Sequence, residues 1–314
     1  MKKVLILLFL GILVTSCSRK THNLEWIPFT WTSVSLEGRN IEKAAMNISV
    51  SIDDISHNKF IMQFDLGAVL TVFYEKALNP FLYDSPLLNT KLDTTKTFWY
   101  NGQPNNPYFN NVNLSLGDVV FESIKVGLYK NYGTEISRDS ISPETEIRIG
   151  TIGADLVQNK VLIIDYKLSR LAIADTLPAE YQNISFEDFI IDNRRIKIPF
   201  QINGKKEHLM FDTGASIFTL TTSKQNALSI GGSEIVDSLT VTSWGEYVTF
   251  YGLKTVFPIM FGDKDMGSSI VYYSEDTSWD DFYKSENMWG LTGNAFFFND
   301  VVIIDYKNNR FGVQ

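Results

Sequence analysis

The chain reads as an all-β protein built from two related lobes, and three observations predict this. Short runs rich in Val, Ile, Thr, Phe and Tyr recur between Gly, Asn and Asp clusters, with 22 Phe and 14 Tyr in 314 residues, which is the texture of strands and turns. That length exceeds what one hydrophobic core usually fills, about 250 residues, and leaves room for two. A stretch of the first half also returns in the second. Apolar residues at 44% and charged residues at 20% exclude a disordered chain and a protein of several membrane spans. No block of Lys and Arg is dense enough for a phosphate backbone, so nucleic acid is not an expected partner.

At the N-terminus, Lys2 and Lys3 precede an apolar run from Val4 to Val14, too short for a comfortable bilayer span and suited to a signal peptide. The run closes on Val14-Thr15-Ser16-Cys17, which resembles a bacterial lipobox. The resemblance implies removal of residues 1–16 and lipidation of Cys17, the single cysteine. Loss of Lys2 and Lys3 takes the charge from −8 to 26 − 36 = −10. With Cys17 lipidated, no thiol remains for a disulfide. Residues 17–25 read as the lipidated cysteine and a polar tether. The expected location is the bacterial cell envelope, anchored by lipid. Ser18-Arg19-Lys20 carries no acidic cluster, pointing to the outer membrane facing the periplasm.

Strand chemistry begins at Trp26-Ile27-Pro28-Phe29-Thr30-Trp31 and opens a first lobe over 26–176. Helical periodicity is confined to short stretches such as Glu75 to Leu82 and the segments after two repeated glycines. Residues 153–173, GADLVQNKVLIIDYKLSRLAI, align without gaps on 293–313, GNAFFFNDVVIIDYKNNRFGV, with nine of 21 positions identical. Upstream, Phe64-Asp65-Leu66-Gly67-Ala68 matches Phe211-Asp212-Thr213-Gly214-Ala215. The spacings are similar, 153 − 65 = 88 residues and 293 − 212 = 81 residues, so each half repeats one plan. Leu177-Pro178-Ala179-Glu180 and Gln182-Asn183 interrupt the strand pattern, placing the boundary near 176–190 and the second lobe at 177–314.

Phe211-Asp212-Thr213-Gly214-Ala215-Ser216 resembles the active-site motif of the pepsin and retropepsin families of aspartic proteases. Thr151-Ile152-Gly153, Leu291-Thr292-Gly293 and the closing Asp305-Tyr306-Lys307 stretch extend the likeness over the mature chain. The resemblance implies the bilobal pepsin-like fold, two related β-barrel-like lobes, with Asp65 and Asp212 as a catalytic pair. Two carboxylates face to face cannot both ionise cheaply, so they share a proton, and a water between them can be activated. Gly67 and Gly214 let amide N–H groups approach the carboxylates. Thr213 and Ser216 are the expected supports of the site. A flap over the cleft is expected within 65–150, with Tyr100 of Phe98-Trp99-Tyr100-Asn101-Gly102 its candidate; the same aromatics also suit a core hairpin.

The first lobe departs from the family pattern, with Leu66 where a hydroxyl residue usually follows the Asp and Val69 in the place of Ser216. Leu66 is expected to leave a polar group of Thr213 unmet and Asp65 less firmly held. Ala68 and Ala215 likewise offer no hydroxyl, so any activity is expected at milder acidity than in a stomach-type enzyme. Asp165 and Asp305 sit at strand-to-turn junctions and read as structural caps. His22, His57 and His208 are isolated, without zinc spacing or a nucleophile elbow, so no metal and no cofactor are expected. The expected function is an aspartic-type endopeptidase acting as a monomer on polypeptide; the alternative is a silent, peptide-binding pseudo-protease lipoprotein.

Overall fold

The computed structural model describes residues 24–314 apart from 54, 56, 58, 84, 244 and 268. The expected signal peptide, Cys17 and most of the tether lie outside the described residues. At 53% strand and 15% helix the chain is all-β in character, and among the described residues its strands form one sheet of 13 strands and one of 10.

Each half follows the same path around its aspartate. In the first, strand Phe60–Phe64 leads to Asp65 and pairs in parallel with Ile147–Ile152, whose other edge takes Val72–Tyr74 antiparallel. In the second, Lys205–Phe211 leads to Asp212 and pairs in parallel with Gly290–Thr292, flanked by Leu220–Thr222. A late strand is thus threaded between the strand entering each Asp loop and the strand leaving it. Its carbonyl receives the Asp amide, Ile152 from Asp65 at 3.0 Å and Thr292 from Asp212 at 2.9 Å. Close threading explains the glycine ending each late strand. A Cβ at Gly153 would stand 2.6 Å from the Leu70 carbonyl carbon, and one at Gly293 only 1.5 Å from the Ala215 oxygen.

The repeated VxIIDYK segments meet each other. Strands Val161–Asp165 and Val301–Asp305 pair antiparallel with Ile163 opposite Ile303, both buried. Those two residues are 303 − 163 = 140 apart, the offset of the repeat itself (293 − 153 = 140), so a local two-fold axis passes between them. The sheet continues on one side through Arg310–Val313 to Phe186–Asp188, and on the other through Arg170–Ala174 to Trp26–Leu36. Strands of both halves therefore share the 13-stranded sheet. Asp165 accepts the Leu168 N–H and the Arg170 Nε–H, each at 3.1 Å; Asp305 accepts those of Asn308 and Arg310 at 3.2 and 2.9 Å. Both are turn caps. Ser169 and Asn309 hold the matching left-handed position, at φ 48° and 51°.

Helix Glu75–Leu82 lies where the pattern predicts, and single 3₁₀ turns, Ala154–Leu156 and Asn294–Phe297, follow the repeated glycines. Helices Lys224–Ile230 and Thr277–Ser285 were not anticipated; Ser223 and Asp276 cap them by accepting the amides of Asn226 and Ser278. No described helix is long and apolar enough to cross a membrane. Two long hairpins, Leu92–Tyr100 with Gln103–Leu116 and Gly231–Ser243 with Glu246–Thr255, reach one cleft between the Asp loops.

Candidate active site

Asp65 and Asp212 come together on the floor of a cleft of about 570 Å³. Each is delivered by the end of a buried strand, and each loop turns on a glycine pressed against the opposite carboxylate. A Cβ at Gly67 would lie 2.4 Å from Cγ of Asp212, and one at Gly214 2.6 Å from Cγ of Asp65. The glycines are therefore what allows the two loops to meet.

The donors are distributed unequally. Asp212 accepts N–H bonds from Gly67 at 3.1 Å, across the halves, and from Gly214 at 2.7 Å, within its own loop. Asp65 accepts the Ala68 N–H at 2.9 Å and is only 6% exposed, whereas Asp212 faces the cleft half-buried. Burial, then the charge of Asp212, then a hydrogen bond between the two side chains push the Asp65 carboxyl well above its ordinary 3.8; the amides of Ala68 and Gly67 oppose this without reversing it. Burial and the facing carboxylate thus both disfavour charge on Asp65.

Thr213 locks the loops together more completely than the sequence suggested. Its Oγ1 accepts the Leu66 N–H and donates to the Phe64 carbonyl, both at 2.9 Å, so it is satisfied entirely by backbone of the first half. The Thr213 hydroxyl is not left unmet for want of a hydroxyl at 66, which corrects the expectation. Leu66 instead packs its side chain into the core at 1% exposure. Only one of two symmetric locks is present. Ser216 does not touch a carboxylate. Its hydroxyl accepts from Asn294 Nδ2 at 2.7 Å and lies 3.4 Å from the Thr213 carbonyl, so it steadies the Asp212 loop from behind. Asn294 also donates to the Thr213 carbonyl at 2.7 Å and accepts the Tyr166 hydroxyl from the first half at 2.5 Å.

Tyr100 closes the strand Leu92–Tyr100, just before an Asn101-Gly102 turn with φ 43° and 76°, the signature of a type I′ hairpin. The two readings of the aromatics turn out to be compatible. Tyr100 is buried against Phe98 and Tyr129, yet it lines the cleft near enough for the charge of Asp65, after burial, to raise its hydroxyl well above 10. Trp99, beside it, is 69% exposed at the cleft mouth.

Three contributors were missed. Trp279 and Phe282 form an apolar wall from helix Thr277–Ser285; a capping aspartate at 276 with Asp280 in the first turn was the available signal. Arg195 also lines the cleft, and its Nε donates to the Gly67 carbonyl at 2.8 Å. Asn203-Gly204 marks the hairpin turn that sets this register, since 203 + 204 = 195 + 212 places Arg195 opposite Asp212. Among the described residues no three His, Cys, Asp or Glu side chains converge as metal ligands. No protein-family model matches the chain, and no curated protein is significantly similar to it in sequence.

Proposed function

We propose that this protein is an aspartic-type endopeptidase of bilobal pepsin-like fold, hydrolysing polypeptide with water activated between Asp65 and Asp212. The observation that carries the reading is the reciprocal meeting of the repeated loops, each glycine against the other half's carboxylate, with the Asp65 carboxyl pushed up by burial and by the facing Asp212.

An extended peptide lies along the cleft under the Asn101-Gly102 hairpin. Asp212, supported as an anion by two N–H donors, takes a proton from water while Asp65 gives its proton to the scissile carbonyl oxygen. Water oxygen bonds to the carbonyl carbon, giving a neutral diol. Asp212 then passes its proton to the amide nitrogen, the C–N bond breaks, and a diol hydroxyl returns a proton to Asp65. No covalent enzyme intermediate forms. Met210, Leu291, Trp279 and Phe282 offer apolar contact to substrate side chains. Lipidation of Cys17 would hold this chemistry at a membrane of the cell envelope, expected to be the outer membrane on its periplasmic side.

A second reading, a peptide-binding pseudo-protease, is favoured by one observation: the first half returns no hydroxyl to the second, so the lock is one-sided. Incubating residues 18–314 with a diverse peptide mixture from acid to mildly alkaline pH, with products read by mass spectrometry, decides between them. The proposal expects cuts at mild acidity that vanish in Asp212→Asn and with a statine-type inhibitor. A folded protein that cuts nothing at any pH but retains peptides supports the second reading.

A further inference from the structure

We propose that Arg195 is a positioning residue that supplies, from the second half, the restraint that Leu66 cannot: it fixes the Gly67–Ala68 peptide so that its N–H points at Asp65. The carbonyl of Gly67 and the N–H of Ala68 belong to one planar peptide unit. At one end the Arg195 Nε–H donates to the Gly67 oxygen at 2.8 Å; at the other the Ala68 N–H donates to Asp65 Oδ1 at 2.9 Å. A rotation of that peptide would break both bonds at once. A cationic donor on the oxygen also polarises the unit and strengthens its N–H as a donor.

The guanidinium is itself held. Its Nη1 donates to Glu286 Oε1 at 2.9 Å, in a pair only 23% and 13% exposed at the side chains. Glu286 accepts in turn from Asn193 Nδ2 at 3.3 Å, and its carbonyl takes the buried Lys197 ammonium, which is paired with Asp192 at 2.5 Å. A planar fork gripping a carboxylate with one edge and a carbonyl with another cannot be reproduced by a point charge.

The asymmetry of the molecule matches this role. In the first half Asn47 pairs with Gln63, so the register carries Ala45 opposite Asp65; in the second Lys197 pairs with Met210, carrying Arg195 opposite Asp212. The Ala45 side chain carries no donor. The single guanidinium thus serves the loop whose side chains offer no hydroxyl at Leu66, Ala68 and Val69, while the loop bearing Thr213 and Ser216 manages without one.

The role rests on the proposed function only for its kinetic readout. Amide exchange of 66–68, with 213–216 as internal control, would be followed in the whole chain carrying Arg195→Lys or Glu286→Gln, together with kcat and KM on a cleaved peptide. Expected for Arg195→Lys is exchange of Gly67 and Ala68 faster by about tenfold with the 213–216 amides unmoved. Expected too is a fall in kcat of about tenfold or more with KM changed less than about threefold; Glu286→Gln shows the same pattern more weakly. A folded Arg195→Lys with unchanged exchange and kcat overturns the proposal, and if that variant does not fold, unchanged exchange in Glu286→Gln overturns it. Should the wild type cleave nothing, exchange alone decides the role of Arg195, and only the peptidase reading falls.

Discussion

At the scale of single residues, the site is governed by how two identical groups are treated differently. Asp65 is buried with one strong amide donor, and Asp212 is partly exposed with two. Because the native carboxyl of Asp65 lies above its unfolded value of 3.8, folding binds a proton there. The associated stability is complete below 3.8 and is lost as pH rises through the native value. Asp65→Asn has no charge to bury, so its melting temperature should match the wild type in acid and exceed it increasingly toward neutral pH. Parallel pH dependence of the two proteins would contradict the burial account. Thr213→Val removes two buried hydrogen bonds between the halves and leaves the Leu66 amide without a partner; urea unfolding should show a loss of about 1–3 kcal/mol. The Asp-x-Gly pairs were legible because chemistry fixes their residue types. The true partners of Thr213 were not, because they are backbone atoms of a segment 147 residues away.

At the scale of elements, the same residue type carries very different constraints. Gly102 sits at φ 76° on the hairpin tip with open space around it, so Gly102→Ala costs only the left-handed backbone, about 1–2 kcal/mol by thermal unfolding. Gly293→Ala would drive a methyl into the Ala215 carbonyl beside the Asp212 loop and should prevent accumulation of folded protein, read by circular dichroism. Equal tolerance at both positions would disprove the threading described for the late strands. Strands and the DYK turns were readable because alternation, turn residues and repetition reinforce one another. Helix Glu75–Leu82 showed in its apolar pattern, whereas Lys224–Ile230 buries only Ala227 and Ile230, and Thr277–Ser285 only Tyr283, so these two announce themselves through their caps.

At the scale of the whole molecule, the halves are joined by more than the site. Strand Val301–Asp305 completes the sheet of the first half through Val161–Asp165, and a first-half hairpin tip reaches the second. There Arg39 pairs with Asp237 at 2.6 Å, and Glu37 accepts the Thr240 amide at 3.1 Å. The Arg39 pair is exposed enough to contribute little, about 0–1 kcal/mol; the shared sheet carries the coupling. Unfolding followed by far-ultraviolet circular dichroism and by tryptophan fluorescence should therefore trace one transition. Two separated transitions would mean that the halves fold independently. The duplicated plan was visible in sequence because the strands flanking the two-fold axis see the same surroundings twice. The hairpin contact was not, since it depends on how the halves dock and leaves no local pattern.

The claim on which the rest depends is that Asp65 and Asp212 form one proton-sharing pair. Carbon-13 resonances of aspartate carboxyls, followed from pH 3 to 8 in the wild type, Asp65→Asn and Asp212→Asn, test it directly. The account predicts one carboxyl that keeps its proton well above the usual carboxylate range and loses that behaviour when its partner is replaced. Two carboxyls titrating independently in the ordinary range, unaffected by each other's substitution, would contradict it.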